Sequence, residues 1–147
     1  MSPKSIVAPL MAALAFLSAS APAHDAMALD SMPSAHGGQV RMAGPYHMEL
    51  VLEGTPPGET RSIHIFLQNH LFADVASAGI TGMVRVTEGS QTTAIPLTPD
   101  GFNSLRGRGR YASRPMVRAV VVLTTKDGEQ WSATFALAST VPVAALN

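Results

Sequence analysis

From Gln39 onward the chain is written in short apolar-alternating runs broken by Gly, Pro, Asp and Asn, and this limits the fold more than any other feature. In Tyr46-His47-Met48-Glu49-Leu50-Val51-Leu52-Glu53, residues Tyr46, Met48, Leu50 and Leu52 share one face of an extended backbone. Gly54-Thr55-Pro56-Pro57-Gly58 reads as a turn, and Ser62 to Gln68 as a second strand with Ile63, Ile65 and Leu67 inward. Further runs follow at Gly82 to Glu88, Thr92 to Leu97, Phe102 to Leu105, Met116 to Thr124 and Gln130 to Leu137. In the last of these, Trp131, Ala133, Phe135 and Leu137 alternate cleanly. Period-2 alternation at this spacing predicts an all-β fold, a small Ig-like β-sandwich of about seven short antiparallel strands. It would occupy residues 39–140 and leave 141–147 as a tail. Helical periodicity is missing from these runs, and Leu71 to Ala78 has room for one turn.

The first residues follow another rule. Lys4 precedes an apolar run from Ile6 to Leu17, and small residues then lead to Ala21-Pro22-Ala23. These are the charged, apolar and A-x-A parts of a secretory signal peptide, so residues 1–23 are expected to be removed on export. The run is shorter than the roughly 20 residues a membrane-spanning helix needs, and Pro9 interrupts it. No membrane span is expected in the mature chain. Residues 24–38 mix small, polar and Met residues without a sustained period and predict a flexible arm.

Composition removes several function classes. There is no cysteine, which excludes thiolate metal sites and cysteine nucleophiles. Ten basic residues balance ten acidic ones, giving no field for nucleic acid. No Gly-x-Ser-x-Gly elbow, His-Glu-x-x-His helix, phosphate loop or dinucleotide fingerprint is present, so no enzyme activity is expected. Arg106, Arg108 and Arg110 alternate with Gly107 and Gly109, which reads as a solvated loop before it reads as an anion grip.

What remains is a set of metal-binding side chains. All five histidines, His24, His36, His47, His64 and His70, lie in the first half, together with Met27, Met32, Met42 and Met48. Imidazole suits copper and zinc, and thioether sulfur favours Cu(I). Cleavage after Ala23 would make His24 the first residue, offering its α-amine and imidazole together to Cu(II). On the strands, His47 and Glu49 should project together, and His64, Phe66, Gln68 and, where the strand continues that far, His70 should share the outward face of the next strand. A hairpin between the two would bring His47 near a histidine of its neighbour.

His36-Gly37-Gly38, followed by Gly44-Pro45-Tyr46-His47-Met48-Glu49-Leu50-Val51, resembles a small family of bacterial envelope proteins carrying an HGG…G-x-Y-H-x-E-L-V pattern. The likeness continues through Ile65 to His70 and through Leu97 to Gly107, and so covers most of residues 36–138. Such proteins are associated with heavy-metal efflux, and a related module occurs in the periplasmic adaptor subunits of metal-exporting pumps. The resemblance implies a periplasmic location and metal handling, with His36, His47 and His70 at the matching positions. Asn69 stands where relatives often have Asp, removing one possible anionic ligand. The combined expectation is a periplasmic binder of copper first and zinc second, with His24, Met27 and Met32 as accessory ligands and an efflux adaptor as the candidate partner. The alternative expectation is a metal-free module that docks on such an adaptor or another envelope protein, with His36-Gly37-Gly38 serving as a structural turn.

Overall fold

The computed structural model describes residues 34–53, 59–111 and 116–138. The expected signal peptide, residues 24–33 of the expected arm (with His24, Met27 and Met32) and the tail at 141–147 lie outside the described residues. The fold is all-β and antiparallel, as the alternation predicts. Eight strands form one hydrogen-bonded sheet: β1 (Gln39–Ala43), β2 (Tyr46–Leu52), β3 (Thr60–Asn69), β4 (Thr81–Glu88), β5 (Gln91–Pro99), β6 (Ser104–Arg110), β7 (Met116–Thr124) and β8 (Gln130–Ala138). Their order is β1-β2-β3-β6-β5-β4-β7-β8. The described residues contain no helix, and hence none long and apolar enough to cross a membrane.

The sheet folds over itself at β5. Gln91 to Leu97 pair with β4, whereas Thr98 and Pro99 pair with Arg106 and Leu105 of β6. Two layers result, and their inward alternate residues meet. Met48, Leu50, Ile63, Ile65, Leu67 and Leu105 face Val84, Ile95, Leu97, Val121, Leu123 and Phe135 in one continuous core. The far edges, β1 and β8, come together at Gln39. Its side-chain Nε2–H donates to the Ala136 carbonyl at 3.3 Å, and its Oε1 accepts the Ala136 N–H at 3.0 Å. One side-chain amide thus supplies the two bonds a neighbouring strand would make, and the sheet almost closes into a barrel.

Two strands differ from expectation. β1 was not marked by alternation, because only Val40 and Ala43 of its five residues are buried. β6 runs through the Arg-Gly repeat that reads as a loop. The glycines are needed there by close approach of the layers: a Cβ on Gly107 would lie 2.7 Å from the Pro96 carbonyl oxygen, and one on Gly109 would lie 2.4 Å from the Ile95 Cδ1. Arg108 and Arg110 remain exposed on the other face.

Gln39→Ala leaves the Ala136 amide and carbonyl to water. It should lower stability by about 1 kcal/mol in urea unfolding and speed hydrogen exchange at Ala136 while Phe135 stays protected. An unchanged Ala136 exchange rate would show that other contacts close the seam.

Candidate functional site

β2 carries His47 and β3 carries His64, while His36 lies just before β1 and His70 just after β3. The register of β2 and β3 sets Glu49 opposite Phe66, His47 opposite Gln68 and Tyr46 opposite Asn69. His47 and Glu49 share the outward face, as expected, yet they are only 6% and 4% exposed. The sequence pattern marks these positions as solvent-facing, and the structure corrects that. Residues 34–38 and the loop after β3 lie across this face and cover it.

The first cover is held by Glu49. Its Oε1 accepts the backbone N–H groups of His36 and Gly38, both at 2.9 Å, and its Oε2 lies 2.9 Å from Nδ1 of His36. The local backbone is made for this. Gly37 has φ +78°, which glycine adopts without strain. A Cβ on Gly38 would sit 2.3 Å from the Leu50 carbonyl oxygen. Two amide groups flanking a left-handed glycine form a concavity suited to a carboxylate. Burial alone would raise the Glu49 carboxyl, but the His36 side chain and then the two amides outweigh it and hold the carboxyl below its usual range. The His36 ring lies flat on Phe66, with centroids 3.6 Å apart and planes 6° from parallel. An ionised carboxylate only accepts, so Nδ1 of His36 carries the proton in this contact. The end of the expected arm is therefore a strap fixed to the sheet.

The second cover brings two histidines together. The rings of His47 and His70 are 5.5 Å apart in an edge-on arrangement, and Phe72 stacks on His47 at 4.6 Å. Nδ1 of His47 is buried and has no hydrogen-bond partner. Burial and, secondarily, the charge of His70 lower the pKa of His47, while a hydrogen bond to the Asn69 backbone opposes them. The ring is held towards its neutral form. Asn69 builds the loop: its Oδ1 accepts the N–H groups of Leu71 at 2.9 Å and Ala73 at 3.0 Å, and its carbonyl accepts that of Phe72 at 2.9 Å. Phe72 takes φ 60°, a left-handed conformation unusual for a bulky residue.

The remaining histidine of the described residues is engaged elsewhere. His64 Nε2 lies 2.9 Å from Glu53 Oε1, and Arg106 donates to the Ser62 hydroxyl at 3.0 Å beside Glu53 and Asp100. Of the expected ligands, the structure brings His47 and His70 together and places His36 separately, over Glu49 and Phe66. No group of three or more His, Asp or Glu residues arranged to hold a metal ion occurs among the described residues. Sequence reasoning missed Asn69 as an organiser, Phe66 as a stacking platform and Phe72 as a cover. The Asp-or-Asn position before His70 was the available signal, and it was read only as a lost ligand. No family model matches the chain, and neither curated proteins nor solved structures do.

Glu49→Ala leaves the His36 and Gly38 amides without their acceptor. The expected result is faster exchange at both amides and a stability loss of about 2 kcal/mol, read by hydrogen exchange and urea unfolding. Retained protection at Gly38 would count against the strap.

Proposed function

We propose that this chain is an exported, periplasmic binding protein for a soft or borderline transition metal, copper before zinc, carried as cargo in a heavy-metal efflux or resistance setting. The observation that carries the reading is the buried, unpartnered Nδ1 of His47 beside the imidazole of His70. A buried nitrogen without a partner is costly, and a bound ion would satisfy it. Two imidazoles on one tetrahedral ion have centroids about 5 Å apart, given metal–nitrogen distances of about 2.0–2.1 Å, and the observed 5.5 Å is close to that. The depressed pKa of His47 favours the neutral form that ligates. Further ligands would come from water or from His24, Met27 and Met32. His36 offers Nε2 with its other nitrogen anchored by a carboxylate, an arrangement that orients metal-binding histidines.

A second reading has its own support. Leu71 is 86% exposed and Phe102 68% exposed. Phe102 bonds through its carbonyl to Ser77, at the end of the loop that begins with His70 and Leu71. Such apolar side chains suit a module that docks on a periplasmic adaptor or other envelope protein without binding metal.

Titration of the purified mature protein with Cu(I), Cu(II) and Zn(II) separates the two. The metal reading expects binding tighter than about 10 μM, weakened about tenfold or more by His47→Ala and by His70→Ala. Weaker binding for every ion leaves the docking module. Intact-mass measurement of the exported protein should give an N-terminus at His24, and any other start removes the terminal chelate.

A further inference from the structure

We propose that the free edge of β6 at Gly107–Arg110 docks an extended acidic segment of a partner protein. This surface is independent of the metal reading. It lies at the other end of β3 from His70, because Arg110 stands opposite Thr60. The backbone decides which groups the edge offers. In an antiparallel ladder, alternate residues bond to one neighbouring strand and those between them turn to the other side. The Leu67 N–H donates to the Asn103 carbonyl at 2.8 Å, and in the β3–β6 register this makes Leu105, Gly107 and Gly109 the residues that bond to β3. Arg106, Arg108 and Arg110 therefore direct their N–H and C=O groups the other way, towards β5. On that side the ladder sets Pro99 opposite Leu105 and Thr98 opposite Arg106, and there it stops. The next partner, for Arg108, would be Pro96, which has no N–H. From Leu97 back to Gln91 the strand pairs with β4 instead. Among the described residues, no strand pairs with this side of Gly107–Arg110.

The side chains give this edge a charge. Arg106 is already engaged: it donates to the Ser62 hydroxyl at 3.0 Å and lies 3.9 Å from the Glu53 carboxylate and 3.8 Å from that of Asp100. Arg108 and Arg110 project from the same outer face, about 7 Å apart along the strand. Both are exposed, and neither forms an ion pair with a described residue. Gly107 and Gly109, which alternate with them, press on Ile95 and Pro96 of β5, so the two guanidinium groups stand on a backbone seated against the other layer. A strand laid along this edge brings every second side chain beside Arg108 and Arg110, and carboxylates at those positions match them. A neutral or basic strand meets the same backbone without that match. The charges that turn other strand edges away thus select an acidic one.

The test uses the full mature chain, metal-free and at low salt, with a short capped peptide alternating Glu with Thr. The Arg108 and Arg110 amide signals should shift on titration, and exchange of the Arg110 amide should slow. The same peptide with Lys in place of Glu should do neither. Arg108→Glu combined with Arg110→Glu should weaken binding of the acidic peptide about tenfold or more. Unmoved Arg108 and Arg110 signals in the wild type at about 1 mM peptide overturn the proposal, and that measurement needs no variant to fold. Equal binding of the Lys peptide also overturns it, as does unchanged affinity for an acidic peptide whose backbone amides are methylated. An Arg110 amide already protected before peptide is added would show that the chain covers its own edge, and the proposal falls. A response to vesicles of anionic lipid with none to the peptide has the same consequence.

Discussion

The outer face of β2 and β3 depends on one carboxylate. Glu49 is buried under a strap that it alone gathers, with two backbone amides and one imidazole converging on its two oxygens. A buried charge is tolerable only when its lone pairs are used, and here the partners come from a segment with no strand neighbour of its own. The dependence is mutual. Without the strap the carboxylate would face water like any outward strand residue, and without the carboxylate residues 36–38 would lose the acceptor of their two amides. The stacking of His36 on Phe66 follows from the same bonds, since the ladder sets Phe66 beside Glu49.

That arrangement explains why the fold was largely legible and the site only in part. Period-2 alternation reports which face meets the core, and Met48, Leu50, Ile63, Ile65, Leu67 and Phe135 are inward and fully buried as expected. It cannot report that a face pointing away from the core is covered by something else. His47 and Glu49 were placed on the correct face and given the wrong environment for this reason. The Arg-Gly repeat misled in the opposite direction. Glycine signals flexibility when only local preference is considered, whereas at Gly107 and Gly109 it provides clearance for β5. Interlayer distance is a tertiary fact, and no local pattern in β6 carries it.

The pairing of His47 with His70 was foreseeable as a hairpin geometry, because antiparallel register places a residue near the start of β2 beside the end of β3. What the alternation lacked was the turn after β3. Asn69, with an acceptor that reaches two and four residues ahead, bends His70 and Phe72 back over the sheet rather than letting β3 continue. Asn and Asp commonly do this in turns. Position 69 attracts notice as a candidate ligand only because a histidine follows it.

Two protein imidazoles make an incomplete shell for zinc, which takes four ligands in closed structural sites. That incompleteness bears on the proposed role. A protein that retains its metal gains from closing the shell, whereas one that passes an ion onward needs positions that a second set of ligands can enter. The His47–His70 pair lies beside the exposed side chains of Leu71 and Phe72, and Phe72 itself takes a left-handed backbone conformation. On the proposed metal reading, the exposed apolar side chains beside the two histidines are where a partner receiving the ion would sit.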